Sequence, residues 1–367
     1  MIEASRFSAQ GVESAMAASA RAECSCHPSR RGFLKGLAST AMAAPAMVGA
    51  AGAQASPRRI DVHHHLLPPR FAAAARERNM LPSNLGVLNE SMSLEDMDKN
   101  GVQASITSVP SPGVWYGDVE LARTLARDAN EFGARMASDH KGRFGVFATL
   151  PLPDIEGSLK ETAYALDVLK ADGVHMWTSY GSKWLGHSDF TPLLEELNRR
   201  KAVVYTHPTT APCCGNLVPE APQAMIEYGT DTTRTIASLV LSGATNRFPD
   251  IRWIFSHAGG TMPFLVERFI FQAGVQSRTP EGAKKIPNGV LPELQRLHFD
   301  TAQSANPYAL SSLMKLAPVT QLLFGTDFPY RNTAEHVKGL ADCGLFSESD
   351  LAAIGRGNAA RLLPRFA

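Results

Sequence analysis

A chain of 367 residues with 36 basic and 35 acidic side chains carries a formal charge of +1, and 44% of its residues are apolar. With no basic stripe, near-neutrality leaves no electrostatic footprint for nucleic acid, and 19% charged residues are too few for a disordered chain. What remains is a globular protein with material for a sizeable core, suited to acting on a small molecule.

The first 55 residues read as an address. Ser29-Arg30-Arg31-Gly32-Phe33-Leu34-Lys35 is a twin-arginine export motif, followed by a weakly apolar stretch over 36–51. Ala51-Gly52-Ala53 and Ala53-Gln54-Ala55 both offer small-x-small cleavage. The reading is a cleaved signal over 1–55, a mature domain over 56–367, the twin-arginine machinery as partner of the precursor, and periplasmic or other exported residence. The leader before the arginines is long, and Met16 is an alternative start. After position 55 no apolar run is long enough to span a membrane. Cys24 and Cys26 would leave with the signal, so Cys213, Cys214 and Cys343 remain. Three is an odd number and adjacent cysteines rarely pair, so no disulfide is expected to support the fold.

The mature chain alternates short β-branched or apolar runs with longer amphipathic stretches. Strands are predicted at 59–63, 104–109, 144–149, 173–178, 202–206, 251–256, 297–301 and 321–325. Helices are predicted at 117–141, 154–171, 189–199 and 232–243. Ser93-Leu94-Glu95-Asp96 has the spacing of a capping box and predicts a further helix start. Eight strand–helix repeats specify an α/β fold, a (β/α)8 TIM barrel, with a doubly wound open sheet as the rival. The segments 81–91 and 210–228 are polar and rich in Pro and Gly, and read as loops at the barrel mouth.

Chemistry-bearing residues fall where the strands end. In Asp61-Val62-His63-His64-His65, residues two apart point the same way, so His63 and His65 can grip one ion while His64 faces away. His207 follows strand 5, His257 follows strand 6, and Asp327 follows strand 8 within Gly325-Thr326-Asp327-Phe328-Pro329. A lone His or Asp after a strand is usually a hydrogen-bonded structural residue. Five at the C-terminal ends of four strands describe a barrel active site.

These residues resemble the amidohydrolase superfamily, and within it the metal-dependent, non-oxidative decarboxylases. Leu150-Pro151-Leu152-Pro153-Asp154, Asp231-Thr232-Thr233-Arg234 and Asp300-Thr301-Ala302 look closest to the 6-methylsalicylate decarboxylase type. The resemblance implies one divalent metal, Zn2+ preferred and Mn2+ possible, on His63, His65, His207 and Asp327, with His257 as acid/base. Strand 4 has no lysine to be carboxylated, so the site reads as mononuclear. Decarboxylation of a 2-hydroxybenzoate-like or unsaturated acid would be driven by a proton from His257 or Asp327. Hydrolysis of a lactone, ester or amide is the alternative on the same residues, and a binding barrel without chemistry is a third reading.

Arg268 resembles an arginine that reaches the neighbouring subunit's site to bind a carboxylate, which implies a homodimer; a surface ion pair is its bland reading. A second such arginine is missing from 81–97, which argues against a dicarboxylate. Arg234 is a further carboxylate-binding candidate, though a helix-surface role competes. His175 and Trp177 share one face of strand 4, as substrate wall or as core. His298 reads as structural, and Asp300 as a hydrogen-bonding partner for substrate or backbone. Trp115 and Tyr116 could stack on a ring. Cys213-Cys214 hints at redox or metal chemistry but has no spaced partner.

Overall fold

β-Branched and aromatic runs build eight parallel strands in the computed structural model, which describes residues 58–367 except 83, 84 and 87. The twin-arginine motif and the cleavage options lie outside the described residues. The strands are β1 Arg59–His65, β2 Val102–Ser108, β3 Phe144–Thr149, β4 Gly173–Trp177, β5 Val203–His207, β6 Arg252–Phe255, β7 His298–Asp300 and β8 Leu322–Leu323. Each pairs with the next in chain order, so no strand is out of sequence in the sheet. The ring is drawn shut between β1 and β8. Val62 N–H donates to the Phe324 carbonyl at 2.9 Å, Asp327 N–H to that of His63 at 2.8 Å, and His65 N–H to that of Phe328 at 2.9 Å.

Alternation along the strands divides the core in two. On β5, Val203 and Tyr205 belong to a cluster with Ile60, Ile106, Phe147 and Ile254. Leu362, Leu363 and Phe366 from the C-terminus join that cluster. Arg365 reaches the carbonyl of Phe144, and Arg252 that of Leu362, so this segment covers the N-terminal ends of the strands, opposite the site. Val204 points the other way, into the larger cluster that includes Leu193, Leu239, Phe255 and Phe299. Each fully buried Phe or Leu contributes roughly 1.5–3 kcal/mol relative to exposure.

Three helix boundaries differ most from the sequence reading, the others by at most two residues. The helix Glu90–Lys99 starts before Ser93: Asn89 caps it by accepting from Met92 N–H at 3.1 Å. Ser93 is instead buried and bonds to Nε2 of His64 at 3.0 Å. The helix Gln223–Leu241 begins nine residues before the predicted 232, because its first turns are exposed and lack an apolar stripe. The predicted helix 154–171 is an α-helix over Ile155–Ala163 followed by a wider π turn over Tyr164–Val168.

Candidate metal centre and active site

β1 delivers three histidines in a row, and a register shift between Asp61 and His64 marks where it leaves regular pairing. His64 turns away, stacked on Phe328 at 4.8 Å between centroids and bonded to Ser93. His63 and His65 turn towards Asp327. The Nε2 atoms of His63, His65 and His207 lie 3.1, 2.8 and 3.9 Å from Asp327 Oδ1. His257 Nε2 approaches the other oxygen, Oδ2, at 3.3 Å. The structure therefore brings together all five strand-end residues singled out in the sequence.

The partners on the far side of each ring define what these rings present. Nδ1 of His63 is 2.8 Å from Asp300 Oδ2, that of His65 is 3.3 Å from the Ser108 carbonyl, and that of His207 is 2.9 Å from the Pro208 carbonyl. All three partners only accept, so each Nδ1 carries the proton and each Nε2 turns a lone pair towards an anionic oxygen. Nε2 of His63 and of His207 are buried with no hydrogen-bond partner. Lone pairs converging on a carboxylate are stable only around a cation. One ligand atom each from His63, His207, His257 and Asp327 fall within 4.8 Å of one another, a span that fits one ion.

His257 belongs to this cluster but differs from the other imidazoles. Among the described residues its Nδ1 has no carbonyl or carboxylate partner, and its side chain is 11% exposed against 0–3% for the others. Histidines that hold metals have the second nitrogen locked. An unlocked, more accessible imidazole is suited to exchanging a proton.

The carboxylates of the pocket attract positive charge, and favour either a cation on the Nε2 lone pairs or a second proton on His63. Burial would push His63 down, yet the carboxylates of Asp327 and Asp300 outweigh it and raise the ring to about 10. Burial pushes His207 down to about 3 and lowers His65 as well. Burial would raise Asp327, but His63, His207 and His257 hold it well below the usual carboxylate range. The pocket thus favours a single centre of positive charge beside an ionised Asp327.

Two carboxylates fix the frame. Asp300 also accepts from the backbone N–H of His257 at 2.8 Å and of Ala302 at 3.0 Å. Asp61 accepts from His63 N–H at 2.9 Å and from the Thr326 hydroxyl at 2.7 Å, tying β1 to the segment that carries Asp327. Gly325 is required here: a Cβ would sit 2.9 Å from that of Asp300 and 3.1 Å from that of His63. His257, Gln303 and Asp327 all adopt left-handed backbone angles, with φ of 54°, 52° and 61°. Side chains disfavour that conformation, and it is retained here because the surrounding bonds over-determine it.

Residues 60–365 match the Amidohydrolase family. The chain belongs to that family. Within it the chain falls among the decarboxylases, which are carboxy-lyases. The decarboxylase yanB of Aspergillus niger is 36% identical over 330 residues, covering 84% of this chain and 88% of its own. The 6-methylsalicylic acid decarboxylase of Penicillium expansum is 37% identical over 278 residues, covering 74% and 85%. A solved dihydroxybenzoic acid decarboxylase from Polaromonas, with bound manganese and 2-nitroresorcinol, superposes with a TM-score of 0.74 over 84% of this chain and 97% of that one. At 20% identity it shows the fold.

Other residues of this amidohydrolase fall where the sequence pointed, or elsewhere. Trp177 is buried, 5.5 Å from His207 between ring centroids and nearly perpendicular to it, so it borders the centre. Arg234 is committed to Glu227 at 3.3 Å and lies 3.6 Å from Asp231, acids of its own helix, rather than free for a carboxylate. Arg268 is exposed on the helix Val266–Gln276 and has no acidic partner among the described residues. His298 is structural: it donates to the Trp253 carbonyl at 3.2 Å. Trp115 is exposed, and Tyr116 packs under Arg78. His175 is buried in the barrel with neither nitrogen bonded. Cys213 and Cys214 are joined as a disulfide, against the expectation that neighbours do not pair.

The sequence reading did not single out Asp61, Gln303, Tyr228 or Tyr330. Gln303 donates to Asp327 Oδ2 and is positioned by its own N–H, which donates to His336 Nε2 at 2.8 Å. Tyr330 stands perpendicular to His65 at 5.3 Å and Tyr228 to His207 at 6.1 Å. Only the Asp of Asp61-Val62-His63 carried a signal, as an acid inside an apolar strand.

Proposed function

We propose that this chain is a metal-dependent, non-oxidative decarboxylase of a 2-hydroxybenzoate-type acid of the 6-methylsalicylate class. The observation that carries the reading is the convergence of three Nε2 lone pairs on Asp327, with the unlocked His257 beside them. His63, His65, His207 and Asp327 would hold one divalent ion. When bound it would stabilise negative charge on the phenolic and carboxylate oxygens and fix their orientation. Zinc is preferred for the imidazole-rich donor set, with manganese the competing ion.

His257 is the proton donor in this reading, since Asp327 is held ionised by its neighbours. Its Nε2 proton goes to the ring carbon bearing the carboxylate, which breaks aromaticity. Cleavage of the bond to the carboxyl carbon then releases CO2 and restores the ring, and His257 recovers its proton from solvent. Asp327 Oδ2, 3.3 Å from His257 Nε2, steadies the imidazolium before the transfer and again once the proton is recovered. Trp177, Tyr228 and Tyr330 would flank a flat aromatic ring.

Two further parts of the reading concern setting. A homodimer is supported by the helix Val266–Gln276, where unpaired Arg268 lies among exposed Ile270, Phe271 and Val275. In such a dimer Arg268 would serve the partner's substrate carboxylate. Export is supported by the twin-arginine motif alone.

The test is a purified, metal-analysed preparation incubated with 2-hydroxybenzoates, lactones and aryl esters while CO2 and acid release are followed. CO2 from a 2-hydroxybenzoate, lost in His257→Ala, supports the reading. Acid release without CO2 overturns it in favour of a hydrolase.

A further inference from the structure

We propose that Cys213–Cys214 is a reversible redox modification site on the rim of the metal centre. Its disulfide and dithiol forms would set how the segment between His207 and Tyr228 packs over the site. The two cysteines lie in a short turn, Pro212–Cys214, six and seven residues beyond His207. Their sulfurs are bonded across a sequence separation of one.

A disulfide stabilises a fold mainly by closing a long loop in the unfolded chain. A bond between neighbours closes no such loop, so stapling does not account for this one. What it does is trap the single peptide between the two residues in a small ring. Opening that ring frees the backbone at that point, and through it the segment on either side.

The turn is mechanically connected to the centre on both sides. Upstream, Cys214 N–H donates to the carbonyl of buried Ala211 at 2.9 Å. Thr209 N–H is held by the Thr178 hydroxyl at 3.2 Å, and the Pro208 carbonyl locks Nδ1 of His207. Downstream, Cys214 lines a narrow cleft with Leu217, Ile226 and Glu227, one residue before Tyr228, whose ring stands against His207. Accessibility suits exchange. Cys213 is exposed while Cys214 is 8% exposed, so an incoming reagent meets the Cys213 sulfur first.

The chemistry balances with a disulfide co-reactant, such as oxidised glutathione. The Cys213 thiolate attacks one of its sulfurs and expels the first thiol. The Cys214 thiolate then attacks the Cys213 sulfur of that mixed disulfide and expels the second. The pair loses two electrons and two protons, and the co-reactant gains both. A phosphine or dithiol reductant reverses the change.

The experiment uses the full-length, metal-loaded chain. After oxidised glutathione, alkylation with peptide mapping should find Cys213 and Cys214 blocked and Cys343 labelled. After a phosphine reductant, Cys213, Cys214 and Cys343 should all be labelled, with Cys24 and Cys26 mapped on their own separate peptide. Limited proteolysis in the exposed stretch 215–220 should then be faster on the order of tenfold in the reduced form than in the oxidised one. Cys213→Ser should match the reduced form under both conditions, and Cys214→Ala should do the same. Labelling of both cysteines after the oxidant would overturn the proposal, as would equal cleavage of the two redox forms. None of these readouts needs a substrate, so a redox response in a chain that decarboxylates nothing would refute the proposed function and leave this site standing.

Discussion

Asp300 holds His63 through a hydrogen bond of 2.8 Å to Nδ1, and through its other oxygen it holds the backbone of His257 at the same distance. One carboxylate therefore orients a metal-holding ring and the segment bearing the proton donor. In Asp300→Asn the amide can donate where the carboxylate only accepted, so His63 loses its tautomer or His257 its anchor. Metal affinity, measured by titration of the metal-free protein, should weaken by about 10–100-fold with the far-ultraviolet spectrum retained. Unchanged affinity would show that Asp300 does not orient the ring.

Ligand and acid/base roles separate by metal content. His207→Ala should lose both bound metal and activity. His257→Ala should retain metal and lose about 10²–10⁴ in kcat. Loss of metal in His257→Ala would place that ring among the ligands instead.

Acid stability offers a test away from the centre. Burial pushes His298 down to about 4 from its ordinary 6.5. Above pH 6.5 the ring is neutral in both states and contributes nothing to the dependence. As pH falls from 6.5 towards 4 the unfolded chain takes up the proton and the folded chain does not, so stability declines, by up to about 1.4 kcal/mol per pH unit for this group. Denaturant unfolding at pH 7.0, 5.5 and 4.5 should show a shallower decline in His298→Gln. The same slope in both proteins would assign the effect to other groups.

Gly113 and Gly117 make a matched pair, with φ of +79° and +85°. A Cβ at Gly113 would lie 2.4 Å from Trp177 Nε1, whereas one at Gly117 meets nothing within 4 Å. Gly117→Ala should cost about 1 kcal/mol of backbone strain and leave kinetics unchanged. Gly113→Ala should cost more and also raise KM, because Trp177 must move. Equal KM in the two variants would remove Trp177 from the substrate wall.

β3, predicted at 144–149, is observed at Phe144–Thr149, and the other barrel strands agree within one or two residues at most ends. Apolar, β-branched runs buried on both faces are a local signal. The five strand-end residues were legible because the fold gathers C-terminal strand ends at one face. Asp61 and Gln303 were not, since their partners, Thr326 and Asp327, are distant in sequence and opposite only once the ring exists. Asn89 displaced Ser93 as cap because Ser93 is used by His64, a tertiary contact overriding a local pattern. Arg234 is neutralised by acids of its own helix, and Cys213 pairs with its neighbour, outcomes decided by side-chain placement rather than residue type.

The hydrogen bonds that close the barrel run between β1 and the segment after β8, and the metal-holding residues sit on that same closure: His63 and His65 on one side, Asp327 on the other. An ion bound there would clasp the two ends of the domain together, acting as a buckle on the seam. Amide exchange at Val62, His65 and Asp327 should then slow on metal addition more than at the β3–β4 junction, making this closure of the barrel a gauge of its loading.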